Sequence, residues 1–416
     1  INKKHSLSQK VFLFYYFIFM PIVKISAINV ALYLFICLNP YIKWLLPNEL
    51  FYGFFILTTI SLTFLIKKNV KNGIFINYQK KQIVFYLFIF IIYFTTPVFH
   101  DLRWGHMVWQ IPFLLILFYD DIIITRGYFY FKKIMVWIAI FALIFWVLKL
   151  LHIPIPYFSY KPSFRYNPDD YYRIYGPVIS LYSEDIAVGE LRITGVFAEP
   201  GHYGIYLGLL LAIEKFNFKN IENKILLITG VLTFSTAFFG ILVLGYIHHL
   251  IKERRITKNI ILPFILIVVI TVIAGDVIKE LTYGRVLKDV DTKNNAIMSI
   301  VDSRISERFL TDFDDFSKTS KVFTGLGYFD QEDIPTTNWR GLIYRFGIIG
   351  LFIILLLIIF IIRRVDILYA LLLFSIAILI LSHRSYLLYT PSIYVLLFMA
   401  TSVNLQQDIS KNSIIV

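Results

Sequence analysis

The chain has 416 residues, 58% of them hydrophobic, with a formal net charge of +13. A mean hydropathy of +0.71, carried by long apolar blocks between charged punctuation, excludes an ordinary soluble multidomain protein and places the chain in a bilayer. Its one cysteine, Cys37, excludes an internal disulfide framework and a cysteine-based metal centre.

Apolar spans are predicted near 11–38, 50–66, 82–99, 107–119, 134–152, 201–213, 225–236, 238–250, 259–275, 341–362, 365–381 and 386–403. The fold class is therefore an all-α polytopic membrane protein with about 12 transmembrane helices. The first span is long and lacks a small-residue cleavage pattern, so it is expected to be retained as a helix. Alternate connections are rich in Lys and Arg: 3–10, 67–81, 126–133, 215–224, 252–258 and 363–364. By the positive-inside rule these are cytoplasmic, as is the N-terminus, and the long polar loops 153–200 and 276–340 fall on the outer side. The chain then divides into N-terminal helices (1–152), a first outer loop (153–200), central helices (201–275), a second outer loop (276–340) and C-terminal helices (341–416). Positive charge is an orientation signal here and not a nucleic-acid footprint.

Residues 225–250 are too few for two full crossings, each of which needs roughly 20 residues. We expect two short helices meeting at Ser235-Thr236, with a tip recessed beneath the outer loops; one long tilted helix is the alternative.

Loop 153–200 is dense in Tyr, including Tyr157, Tyr160, Tyr166, Tyr171, Tyr172, Tyr175 and Tyr182. Aromatic faces suit both the headgroup interface and sugar C–H surfaces. The loop closes on Arg192-Ile-Thr-Gly-Val-Phe-Ala-Glu-Pro-Gly201, at the mouth of an apolar helix. Charge is costly at that depth, so ionisable groups there read as functional. A guanidinium suits phosphate oxygens, and a carboxylate can move a proton. The competing reading makes Glu199 a helix-start carboxylate and Arg192 its loop partner.

Loop 276–340 contains a predicted surface helix in which Ile297, Val301, Ile305, Phe309 and Phe313 recur every fourth residue. It is expected to lie along the membrane, aromatic edge down. Arg304 and Arg308 are one turn apart and can address one anion, or can pair with Glu307 and Asp312. Thr324-Gly-Leu-Gly-Tyr328 reads as a turn, because no strand precedes it and no third glycine follows at nucleotide-binding spacing. Arg345 sits one turn inside the next span, to snorkel outward or face a polar cavity; Lys24 and Lys149 are expected to snorkel.

These residues resemble a family. An Arg-x-x-Gly-x-Phe-x-Glu-Pro segment closing one outer loop is followed by a second loop running from Arg304 through Gly325-Leu-Gly327 to Gly347-Ile-Ile-Gly350. In that order the motifs resemble the O-antigen polymerases and their relatives, the O-antigen ligases, within the C-type glycosyltransferases. Arg192 and Arg304 fall at the family's two loop arginines, and Ser235-Thr236 at its interrupted helical hairpin. The ligases' Asn-Pro-Asn and His-Asn are replaced by Glu199-Pro200-Gly201 and Thr337-Asn338, which favours polymerase.

The resemblance implies a multi-pass protein of the bacterial inner membrane, acting on its periplasmic face on undecaprenyl-diphosphate-linked oligosaccharides, with no nucleotide sugar and no cofactor. A chain-length regulator and a flippase of the same pathway are the implied partners, besides membrane lipids. The acceptor hydroxyl would attack the anomeric carbon as lipid diphosphate leaves. Arg192 and Arg304 would stabilise the leaving group, with Arg340 and Arg345 on the second lipid diphosphate. Glu199 is the first candidate base and His202 the second. No carboxylate or His cluster shows metal-ligand spacing, and metal independence is expected. An O-antigen ligase, a lipid-linked oligosaccharide flippase and a non-catalytic scaffold are the other readings.

Overall fold

In the computed structural model of the protein the described residues are 20–71, 111–161, 171–182, 192–253, 307–326, 339–384, 387 and 390–413. They are mostly helical. In chain order they form α1 (Met20–Cys37), the short α2 (Ile42–Leu45), α3 (Asn48–Lys71), α4 (Asp121–Leu150), β1 (Phe158–Tyr160), β2 (Tyr171–Ile174) and β3 (Ile179–Tyr182). There follow α5 (Pro200–Ile213), α6 (Ile221–Leu232), α7 (Thr236–Glu253), α8 (Glu307–Ser317), α9 (Trp339–Ile362), α10 (Ile367–Arg384) and α11 (Pro391–Ser413). The expected spans 82–99 and 259–275 lie outside the described residues.

Among the described residues α4, α9 and α10 are long and apolar enough to cross a bilayer, and α1, α3, α5 and α7 are shorter apolar helices. The apolar window of α4 is only 28% buried against the rest of the chain. Trp137, Phe141 and Ile144 of α4 point outward, as do Ile348, Ile349, Phe352 and Ile359 of α9. An apolar exterior that continuous needs lipid around it. The chain is a helical membrane protein.

The bundle is built around α4 and α5. Helix α4 packs on α1, α6 and α11, while α5 packs on α6, α7, α10 and α11. Every residue of α5 from Tyr203 to Ile213 is buried, so this apolar 14-residue helix is the inner post of the bundle.

Two features depart from the sequence reading. The basic stretch 126–133, expected as a connection, lies inside α4. Asp120 starts that helix by accepting the Ile122 amide at 2.8 Å, a standard N-cap. Lys132 is then buried, 3.3 Å from Glu214 and 3.1 Å from Glu222, and Tyr128 donates to Glu214 at 2.9 Å. Two carboxylates therefore hold the buried ammonium and tie α4 to α5 and α6. At the same end Arg364 meets Asp121 at 2.6 Å, and Ser402 donates to the other oxygen of that carboxylate. Removing one member of a buried pair leaves uncompensated charge, at a cost of about 3–5 kcal/mol. Lys132→Met should lower thermal stability in detergent by that order, and adding Glu214→Gln and Glu222→Gln should restore most of it. An unchanged melting temperature in Lys132→Met would show the triad to be inert.

The second departure is a three-stranded antiparallel sheet, ordered β1-β2-β3, within loop 153–200. The hairpin turn at Gly176-Pro177 has Gly176 at φ 87, the sign its first central position requires. Tyrosines fasten this sheet to the bundle. Tyr172 donates to the Ala198 carbonyl at 2.9 Å, Tyr160 to Trp44 at 2.8 Å, and Tyr41 to Gly176. Those rings serve as scaffold, and the rest of the loop's tyrosine content leaves both aromatic readings in place.

The glycine motifs of the second loop form one joint. Helix α9 is broken at Gly347 (φ 69, ψ 178), and Phe323–Leu326 docks into the break. Leu326 N–H donates to Tyr344 O at 2.9 Å, and Ile349 N–H to Phe323 O at 3.2 Å. Gly325, at φ 78, approaches the Arg345 carbonyl so closely that a Cβ would strike it. Gly325 and Leu326 thus belong to the insert of a helix break; Gly327 is outside the described residues.

Helix α8 corrects another expectation. Its aromatic edge does not face the membrane: Phe309 and Phe316 are buried, with Phe313 beside them, against Trp339, Ile343 and Tyr344 of α9. Lateral packing on α9 offers that edge more contact than a headgroup layer would. Asp312, Asp314 and Asp315 take the exposed face. Residues 297–306, including Arg304, and the Arg308 side chain lie outside the described residues.

Candidate active site at the mouth of α5

The segment 192–202 enters α5 at the end of the bundle opposite the Lys132 triad. Glu199 is the N-cap residue, in extended backbone (φ −142, ψ 143), and Pro200 occupies the first helical turn. Its carboxylate makes no capping bond and turns to Arg384, in the last turn of α10, with which it forms an ion pair. His202 Nε2 stands 3.5 Å from the same guanidinium nitrogen. A guanidinium only donates, so this imidazole nitrogen faces it as an acceptor. Gly201 makes the approach possible: a Cβ there would lie 2.7 Å from Arg384 Nη2.

The broken hairpin sits one turn further in. Helix α6 ends at Leu232 and α7 begins at Thr236, with Phe234 between them in left-handed backbone (φ 48). Ser235 Oγ caps α7 by accepting the Phe238 amide at 3.3 Å. The tip presses on Gly204, where a Cβ would lie 2.6 Å from that of Ser235. Further along, Gly208 of α5 faces Ile241, and Gly245 of α7 faces Phe216 just beyond α5. Helix α7 therefore runs alongside α5 in the same direction, and the chain reverses at 233–235. This is an antiparallel pair of short helices and not one long tilted helix.

Arg192 holds that tip. Its Nε donates to the Thr233 carbonyl at 3.0 Å, and one Nη to Phe234 at 3.2 Å. Terminal helix carbonyls carry partial negative charge and lack intrahelical partners, so a guanidinium fork suits them. Arg192 also lines a cleft of about 30 Å³ with Lys149, Tyr175, Ser180 and Thr194, room for water-sized groups. Lys149 does not snorkel away from it: Nζ donates to Ser180 Oγ at 2.9 Å and lies 4.9 Å from the Tyr175 ring centre.

The structure thus brings Glu199 and His202 together with Arg384, and sets Arg192 against the hairpin tip, which in turn rests on the same helix. Arg340 and Arg345 lie instead on the first two turns of α9, half-buried, beside the aromatic edge of α8; Arg340 stacks 5.3 Å from the Trp339 ring. Arg384 is the residue sequence reasoning missed. Among the described residues no three His, Cys, Asp or Glu side chains gather as a metal-binding group.

Chemically, the site offers guanidinium groups for an anion and two proton acceptors of different kind. Gly201→Ala is expected to push the Arg384 guanidinium aside. Because that guanidinium is the flexible end of a side chain, stability should fall by less than about 1 kcal/mol. Activity should fall far more, and a variant with wild-type turnover would remove Arg384 from the site.

The chain matches no family model, no curated protein and no solved structure.

Proposed function

We propose that the protein polymerises undecaprenyl-diphosphate-linked oligosaccharide repeat units into O-antigen or capsular polysaccharide, by glycosyl transfer on the periplasmic face of the inner membrane. The reading takes the charge pattern of the full sequence for orientation: about 12 spans, a cytoplasmic N-terminus and two outer loops. The observation that carries it is the gathering of Glu199, His202 and Arg384 at the mouth of α5, beside a hairpin tip clamped by Arg192.

The acceptor hydroxyl forms the new bond to the anomeric carbon, and the sugar–phosphate C–O bond breaks, its electron pair leaving with the lipid diphosphate. The hydroxyl proton passes to Glu199 or His202. Charge developing on the diphosphate is met by guanidinium groups, Arg192 and Arg304 first and Arg340 and Arg345 at the second lipid. Arg384 joins this set on its position beside Glu199.

A transporter of the same lipid-linked units is the second reading, favoured by one feature, the helix break at 233–235. Purified protein in detergent, given lipid-linked repeat units and no nucleotide sugar, separates the two. A ladder of lengthened glycans supports the polymerase. Absence of a ladder, with protein-dependent movement of the units across vesicles, supports transport.

A further inference from the structure

We infer that Arg384 is an anion-binding residue whose place is held by the Glu199 carboxylate until a diphosphate displaces it. This rests on the proposed use of a lipid diphosphate but makes a separate claim about what Glu199 does in the empty site.

Three observations carry it. First, the two partners are unequally covered: the Arg384 side chain is 17% exposed and that of Glu199 is 32%. The carboxylate is the outer member and can swing away while the guanidinium stays. Second, Glu199 sits at the N-cap position yet makes no capping bond to α5. Its carboxylate forgoes the local backbone partner that N-cap acids usually take, and points at a residue 185 positions away. Third, Arg384 lies across the side-chain-free surface of Gly201, so the guanidinium rests on the α5 backbone as well as on Glu199.

A diphosphate is the ligand class this arrangement prefers over a carboxylate. It carries more charge and more acceptor oxygens, and a planar fork pairs with two of them at once. Displacement would also release the Glu199 carboxylate beside the newly bound anion, with His202 next to it. Binding of the donor diphosphate would thereby unmask the proton acceptor. The competing account is an ordinary strut between α5 and α10, in which Glu199 merely braces Arg384.

The two accounts predict opposite signs. Binding of inorganic pyrophosphate and of geranylgeranyl diphosphate is measured on the full chain in detergent, by calorimetry, without reference to polymerisation. Glu199→Gln keeps the size of the side chain and removes the competing charge, so affinity should rise about three- to tenfold. Arg384→Gln should abolish that gain, leaving the double variant no tighter than Arg384→Gln alone. Arg384→Lys, which keeps the charge without the fork, serves should Arg384→Gln not fold: it weakens binding but preserves the rise on adding Glu199→Gln. A response from both probes identifies the diphosphate itself as the ligand, and a response from the lipid probe alone identifies its lipid-borne form. Weaker or unchanged affinity in Glu199→Gln overturns the inference, as does a gain that persists in the Arg384→Gln background. A protein that shows the gain yet forms no ladder would keep this inference and lose the polymerase.

Discussion

Arg192→Ala is expected to cut the rate of glycan lengthening by about 100- to 1,000-fold, the loss that follows removal of one preorganised donor to a developing oxyanion. The effect has two sources. On the proposed function, one is charge stabilisation of the departing diphosphate. The other is the clamp on the Thr233 and Phe234 carbonyls, which fixes the hairpin tip against α5. Arg192→Lys should recover little, because an ammonium is a point charge and does not reproduce the fork that spans both carbonyls. Rates from purified variants, set beside their melting temperatures, check this. A purely structural arginine would lose activity only in proportion to folded protein, whereas the expected result is folded protein with almost no turnover.

Gly347→Ala is the substitution expected to damage the fold most. At φ 69, ψ 178 the residue lies in a region essentially reserved for glycine, where a side chain costs about 1–3 kcal/mol. A Cβ would also strike the Phe323 carbonyl, which is backbone and has no rotamer to yield; overpacking of that kind costs roughly 1–3 kcal/mol more. The Phe323–Leu326 segment would then have to leave the break in α9, taking with it the hydrogen bonds from Leu326 and to Phe323. Thermal unfolding should shift down by several degrees, or the variant should fail to accumulate. A melting temperature equal to wild type would mean that the joint is not as tight as its geometry indicates.

Hydrophobic blocks made the helices legible: the span expected at 201–213 is α5, and that at 341–362 lies within α9. The hairpin break was legible because length forbids two full crossings in 225–250, and small polar residues mark where backbone can turn. Gly325 was legible as a point where the backbone bends, but not as part of the insert of a helix break, since that pairing joins residues about one loop apart. Lys132 was misplaced for a different reason. A basic cluster normally ends a span, and only the carboxylates of Glu214 and Glu222 allow Lys132 to stay buried inside α4. The sheet in 158–182 was hidden because its strands are three or four residues long, too short for alternation to register. Arg384 was missed because it looks like the basic last turn of any helix. Its available signal was a cation at the end of the bundle that the charge pattern assigns to the outside, where the positive-inside rule does not call for one.

The most direct test of the account counts products. Purified protein is given undecaprenyl-diphosphate-linked repeat units alone, and lipid diphosphate released is measured against glycosidic bonds formed. The account predicts one lipid diphosphate freed for each bond, by wild type and not by Arg192→Ala. Repeat units that remain on their lipid, with no diphosphate released by protein that is folded and binds them, would contradict it.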